Sequence, residues 1–402
     1  MDTSDTVGML TAFFTGRGHA WIDGGSLLPP PGDPVLFTSA GMHPLTPYLT
    51  GEPHPLGRRL IGVQRCLRTT DLEEVGDSTH LTVFQMLGSW SLGDYDGPQS
   101  LRWGLELLCD HFGLRPELLH ATAFGGDGRV GPDEATLRTW AELGVPVEPL
   151  GAADNWWSNG PTGPCGPDSE IFAWTGSGPP EGRPSTDDRW LELWNHVTMR
   201  YVRHEDGSLS PLPLLSVDTG MGLERLLMIS QGVGSVYETD LFAPWLALLP
   251  RLWEPWQPRQ PGERSLRVIV DHLRSAIVVI GDGVRPSNTG RGYVLRRLLR
   301  RALTELWRGG EPGSRTLGDL PAELVQDTAD RFRLPGETGD VHSVLLAEER
   351  KFADLLRRGR SLLARLYPSG RLTESDYRFL HETHGLPRDL VTELVTELPD
   401  RT

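Results

Sequence analysis

The chain has 402 residues and a formal net charge of −15, with 38% hydrophobic and 23% charged residues. That length is enough for two domains with real cores, and the ordinary apolar content excludes wholesale disorder. The acidic balance excludes a protein that coats nucleic acid regardless of sequence, though not one with a local basic patch.

The N-terminal "MDTSDTVGML" has no basic stretch ahead of an apolar core, and no apolar run reaches transmembrane length, so the chain reads as cytoplasmic with no membrane partner. Residues 1–248 are rich in Gly, Pro and Trp, with short apolar runs between turn signals, and predict a sheet-based domain with long loops. "DPVLFTSAGM" (33–42) is strand-like. "VQRCLRTTDLEEVGD" (63–77) reads as a strand, a short polar loop and a return. "HLTVFQMLGSW" (80–90) alternates as a strand, with His80, Thr82, Phe84 and Met86 on one face. "GLELLCDHFG" (104–113) and "TLRTWAEL" (136–143) predict helices packed on the sheet. "DNWWSNGPTGPCGPDSEI" (154–171) reads as a stiff Gly/Pro-rich loop suited to a pocket wall, or to the surface with its tryptophans as anchors. "LELWNHVTMRY" (191–201) is a strand with Asn195 and Val197 on one face.

The Pro-rich stretch 249–265 marks a boundary. From it a helical domain, 249–402, is predicted. The segments 266–283, 292–310, 341–367 and 388–398 carry apolar residues at helical spacing. On composition, "RRLLRR" (296–301) reads as a solvated, ion-paired face. Cys66, Cys109 and Cys165 make neither a disulfide framework nor a zinc cluster. Lys351 is the only lysine, so a cationic step upstream of it falls to Arg or His.

"VDTGMGLERL" (217–226) holds the densest chemistry. Gly220 and Gly222 strip side chains from one backbone edge, where a flat ligand can lie. Asp218 beside them suits an ammonium group, and Arg225 a phosphate or a base. A Gly-rich turn ahead of an amphipathic helix reads the same way. Arg68 at the rim of its strand is placed for a phosphate, and Phe84 offers a flat surface for a base or for the core.

The ordered set "FTSAGM", "QRCLR", "FQMLGSWSLGDY", "DNWW", "TGPCGP", "LELWN", "PLPLLSVDTGMGLERL" and "PSNTGRGYVLRRLLRRA" closely resembles the N-terminal part of alanyl-tRNA synthetases. The resemblance runs to about residue 301 and continues more weakly through "GLPRDL" (385–390). It implies an α+β fold: a class II synthetase antiparallel sheet flanked by helices, followed by a truncated helical domain that recognises the tRNA acceptor stem. It also implies ATP-dependent activation of alanine with Mg2+, and transfer of the alanyl group to tRNA.

By resemblance, Arg68 holds the ATP α-phosphate and, with Asp218 and Arg225, forms the catalytic set. Phe84 and Arg225 sandwich the adenine. His80, Met86, Glu170 and Gly222 complete the ATP site, with Glu170 in the ATP–magnesium region. Met42, Trp157, Val197, Asp218 and Gly220 match the alanine pocket. Asn288 and Asp389 match acceptor-stem readers, and Arg296, Arg297, Arg300 and Arg301 turn toward phosphate. Several features depart from the family's pattern. The 68–76 loop is shorter and lacks a lysine. Thr198 and Trp156 replace Phe, Asp168 stands where Cys is common, and Gln85 where Glu is usual. The chain ends at Thr402, before the family's editing and C-terminal domains, and no zinc is expected. A short loop and short chain also suit a ligase that passes alanine to a small molecule or carrier instead of tRNA.

Overall fold

The computed structural model describes residues 1–29, 35–249, 262–308, 310–335, 339–367, 371–384, 386 and 388–396. The chain forms two compact units, Met1–Pro244 and Trp245–Thr402. The predicted boundary stretch falls largely on 250–261, outside the described residues.

Among the described residues the first unit is built on nine strands: β1 (Ala20–Ile22), β2 (Arg59–Leu67), β3 (Val83–Leu92), β4 (Leu119–Phe124), β5 (Val147–Leu150), β6 (Trp156–Ser158), β7 (Gly163–Trp174), β8 (Trp190–Arg203) and β9 (Leu209–Gly222). They run β1-β2-β3-β9-β8-β7-β4-β5, with β6 paired to β7. Every pairing from β2 to β4 is antiparallel, whereas the short outer strands β1 and β5 run parallel to their neighbours. The sheet is therefore mixed, with an antiparallel centre. Helices α1 (Thr3–Thr15), α2 (Thr46–Leu49), α3 (Gly97–Glu106), α4 (Glu134–Leu143) and α5 (Leu223–Ser230) accompany it, and α6 (Ala243–Leu248) spans the division between the units.

Side-chain parity decides which face of each central strand is closed. On β8, His196 turns toward α3, where its Nδ1 lies 2.9 Å from Ser100 Oγ. Gly104 of α3 allows this approach, since a Cβ there would stand 2.9 Å from the His196 ring. Asn195 and Val197 therefore face the other way, into a cavity. On β9, Thr219 Oγ1 meets Ser89 Oγ at 2.8 Å on the closed face, while Asp218, Gly220 and Gly222 open onto the same cavity.

The structure revises three expectations. Residues 33 and 34 lie outside the described set, and 35–42 form bends, not a strand. Thr38 is stitched singly to its neighbours, its N–H donating to Leu27 O at 2.8 Å and its carbonyl accepting from Leu67 N at 2.9 Å. Those two bonds do not make a ladder. The strand through Phe84 starts at Val83, because Asp77 Oδ1 draws the backbone N–H groups of Thr79 and His80 into a turn. Thr82 is fully buried, and His80 belongs to the turn. Finally, 156–174 is a hairpin of β6 and β7, not a loop.

A register break in β7 between Cys165 and Asp168 lets its backbone nestle onto β8. Gly166 makes this possible: a Cβ there would stand 2.0 Å from the Thr198 carbonyl oxygen. Backbone cannot yield as a side chain does. Gly166→Ala is expected to cost about 1–3 kcal/mol or more and to lower the melting temperature by at least about 3 °C, read by circular dichroism. An unchanged melting temperature would mean that the bulge relaxes freely.

The second unit is helical, with α7 (Glu263–Gly281), α8 (Gly290–Trp307), α9 (Ala322–Arg331), α10 (Gly339–Leu366), α11 (Glu374–His384) and α12 (Arg388–Thr396). Helix α7 is buried from Val268 to Ile280, and α8 packs on α7 and α10. The arginine run of α8 is divided by this packing. Arg296 Nε and Arg300 Nη2 lie 3.1 and 3.0 Å from Oε1 of Glu348 on α10, a carboxylate 1% exposed. Arg300 also lies over the Phe352 ring, 5.2 Å from its centroid. These two guanidinia pair with one carboxylate between helices, as the ion-paired reading of the run expects. Arg297 is exposed and Arg301 half-buried. Glu348→Gln leaves two cations facing each other, and is expected to destabilise this unit by about 2–4 kcal/mol, somewhat below a fully sealed pair because both guanidinia still reach solvent. A urea midpoint equal to that of the parent protein would contradict a structural clamp.

Candidate active site

A cavity of about 270 Å³ opens on the central strands of the first unit. Its walls bring together Arg68, His80, Phe84, Met86, Trp157, Glu170, Val197, Asp218, Gly220, Gly222 and Arg225, residues that lie far apart in the chain. Met42 is not among them. It is fully buried in the core cluster with Ala40, Met86, Trp90 and Val197, and Ala40 takes the place on the wall. Its side chain backs the pocket and does not line it.

At one end lies Asp218. Trp90 Nε1 donates to its Oδ1 at 2.6 Å, and the residue is 6% exposed. Burial pushes its carboxyl up to about 7, against the pull of that hydrogen bond. Beside it, a Cβ on Gly220 would meet Met86 Sδ at 2.7 Å, so the backbone stays open there. Val197 pairs with Asp218 across the ladder. The result is a small compartment with an acid, apolar walls and a bare strip of main chain. Trp156 also lines the cavity, stacked on Tyr201 with ring centroids 5.8 Å apart.

The other end is cationic and aromatic. The Arg68 guanidinium lies 5.2 Å from the Phe84 ring centroid, and the Arg68 backbone is pinned by its N–H to Thr82 O at 3.0 Å. Arg225, in the first turn of α5, donates through Nη1 to the carbonyl and to Oε2 of Glu192, both at 3.1 Å. Behind Phe84, both oxygens of Glu224 accept from Gln85 N at 3.1 Å. His80 is clamped by two acids, Nδ1 at 2.5 Å from Asp77 and Nε2 at 3.1 Å from Glu74. Burial works to raise the Asp77 carboxyl, yet bonds from His80 and Thr79 hold it below the usual range.

A second acidic group completes the cavity. Burial first, then the charges of Glu192 and Asp168, hold the Glu170 carboxyl well above the usual range. Oxygen-only donors of this kind suit a hard divalent cation such as magnesium, which needs only one or two protein carboxylates. Among the described residues, no group of three or more His, Cys, Asp or Glu is arranged to hold a metal ion by itself.

A family model described as tRNA synthetases class II (A) matches residues 9–399. The chain belongs to the class II (A) tRNA synthetases. Among curated relatives of this synthetase, the alanine–tRNA ligase of Treponema pallidum (strain Nichols) is 41% identical over 96% of this chain and 67% of its own length. That of Borrelia hermsii is 38% identical over 96% and 68%, and that of Rubrobacter xylanophilus 39% over 96% and 46%. The synthetase thus spans about two thirds of the first two and under half of the third. A solved structure of apo S. aureus histidyl-tRNA synthetase aligns with TM-score 0.36 at 13% identity, covering 64% of this chain and 77% of that one.

Three residues that shape the synthetase's cavity were not singled out from the sequence: Trp90, Glu192 and Glu224. Trp90 was findable, since it shares parity on β3 with Met86 and Gly88 and so faces the same side. Glu192 and Glu224 gave no such signal, because their partners, Arg225 of α5 and Gln85 of β3, lie far from them in the chain. The candidate tRNA-facing residues belong to the second unit. Asn288 is exposed just ahead of α8, and its Oδ1 accepts from Arg296. Asp389 lies in α12, but its side chain is outside the described residues.

Proposed function

We propose that this synthetase activates alanine with ATP as alanyl-adenylate and transfers the alanyl group to the 3′ end of tRNA. The observation that carries the reading is one cavity with two unlike ends: a buried acid in a compartment for a small side chain, and an arginine–aromatic wall. The first suits the ammonium of a small amino acid, and the second the adenine and phosphates of ATP. Membership of the class II family, and relatives named alanine–tRNA ligase, support the same reading.

In the first half-reaction the alanine carboxylate attacks the α-phosphorus and pyrophosphate leaves. Asp218 binds the ammonium and Gly220 admits the substrate to the main chain. Trp157 and Val197 limit side-chain size. Arg68 meets the negative charge that grows on the α-phosphoryl oxygens, and Phe84 and Arg225 hold the adenine between them. His80, held by Asp77 and Glu74, and Met86 and Gly222 border the nucleotide. Glu170, with Glu192, would hold magnesium, which neutralises the phosphate tail when bound. No side chain is asked to act as a covalent nucleophile; the step relies on position and charge. In the second half-reaction the 3′ hydroxyl of tRNA attacks the carbonyl and releases AMP.

For the second unit, Asn288 and Asp389 are assigned to the minor groove of the acceptor stem, wide and accessible in A-form RNA. Arg297 and Arg301 are assigned to its phosphates.

The test is transfer of labelled alanine to total tRNA, with alanine-dependent pyrophosphate exchange on the same preparation. Both are expected. Exchange without labelled tRNA would move the second half-reaction to a small-molecule or carrier acceptor. Absence of exchange would overturn alanine activation itself. No helix among the described residues is long and apolar enough to cross a membrane.

A further inference from the structure

Asp168 lines the cavity. The register break in β7 sets it opposite Val197 and beside Asn195. Asn195 Nδ2 donates to Asp168 Oδ2 at 2.7 Å. Asp168 is 5% exposed, and its N–H is fixed to the Asn155 carbonyl at 3.1 Å. Asn155 is anchored in turn, its Nδ2 donating to Thr122 Oγ1 at 3.0 Å. The acid is thus held from behind by two neighbouring strands' worth of hydrogen bonds.

Asn195 turns its NH2 toward Asp168 and its Oδ1 the opposite way. That Oδ1 is buried, belongs to a residue on the cavity wall, and has no hydrogen-bond partner among the described residues. A buried acceptor with no donor is costly, so the site favours a ligand that brings one. On the ladder Asn195 faces Gly220, diagonal to Asp218, whose Oδ1 is already taken by Trp90. A primary ammonium carries three N–H groups, more than the rest of one carboxylate can satisfy.

We propose that Asp168 is a positioning residue for the amino-acid substrate: it locks the Asn195 amide with its carbonyl oxygen toward the cavity, as a second acceptor for the ammonium beside Asp218. The proposal rests on the reading of Asp218 as the ammonium anchor. It gives the departure at position 168 a role in this chain: the carboxyl accepts from the neighbouring amide's NH2.

The experiment is pyrophosphate exchange with alanine and ATP varied separately, on the full chain and on Asp168→Ala, Asn195→Ala and the double variant. Each single change is expected to raise the alanine KM about tenfold and to leave the ATP KM within about twofold. The double variant is expected to be no worse than Asn195→Ala alone, because both changes remove one contact. Asp168→Asn keeps an acceptor oxygen and is expected to recover most of the alanine affinity. Losses that multiply in the double variant, or an ATP KM that rises with the alanine KM, would overturn the proposal. Should Asp168→Ala fail to fold, Asp168→Asn decides: an alanine KM as poor as that of Asn195→Ala would overturn it. A parent protein without alanine-dependent exchange would sink the activation reading and this proposal together. Parent exchange with independent losses would sink this proposal alone.

Discussion

Asp218→Asn is expected to cut alanine-dependent pyrophosphate exchange by a hundredfold or more, and at the same time to make the protein more stable at pH 8. The two effects have one cause. Removing one partner of a buried ion pair costs about 3–5 kcal/mol, which here falls on the bound ammonium. Asparagine still offers Oδ1 to Trp90, so the core under the site stays satisfied. In the free protein, however, the carboxylate is a burden. Burial lifts its folded-state pKa from 3.8 to about 7. An acid with a raised folded pKa imposes no penalty below its unfolded value. The penalty grows as pH rises from about 4 to 7 and is complete above 7, where it reaches about 4 kcal/mol. The melting temperature of Asp218→Asn should therefore exceed that of the parent by several degrees at pH 8, with a smaller gain at pH 5. The same titration predicts that the alanine KM of the parent falls as pH rises from 6 to 8. Thermal unfolding at the two pH values tests the stability arm, and exchange kinetics test the binding arm. Unchanged exchange would remove Asp218 from the site.

Arg68→Ala is the second large effect. Its guanidinium, resting near the Phe84 ring, is the cation assigned to the charge that grows at the α-phosphoryl group. Losing one such preorganised donor typically costs about 10²–10³ in kcat, or about 3–4 kcal/mol. The loss should fall on kcat more than on the ATP KM, since the charge is greatest in the transition state. Arg68→Lys should recover little, because an ammonium has neither the planar fork nor the flat face that lies against an aromatic ring. A kcat within about threefold of the parent in Arg68→Ala would refute the assignment.

What the sequence made legible, and what it hid, follow from the range of the interactions. The long strand through 191–201 and the acid–glycine run at 217–222 follow a period-two rule that one strand carries by itself. The helices of the second unit follow an equally local rule. The stretch 33–42 has the composition of a strand, but Thr38 within it bonds singly to Leu27 and Leu67, far apart in the chain, which no local pattern encodes. The pairing of Arg296 and Arg300 depends on Glu348, about fifty residues on, so composition indicated an ion-paired face but not which carboxylate it meets. Met42 shows the same limit at finer grain. Its motif marks the neighbourhood of the pocket, but which of Ala40 and Met42 meets the cavity is decided by a turn, not by order along the chain.

The placement of β3, β9 and β8 in the middle of the sheet has one more consequence. Each carries a cavity-facing residue, and each is hydrogen-bonded along both edges. Amide protons under Asp218, Gly220 and Asn195 can then exchange with solvent only when the whole unit opens, whereas those of the 68–80 turn can escape by local fraying. The floor of the site behaves as an anvil: it cannot remould itself to a ligand of the wrong size. Any adjustment that accompanies a catalytic cycle must come from the short turn that carries Arg68 and His80, and from the β6 hairpin that carries the two tryptophans.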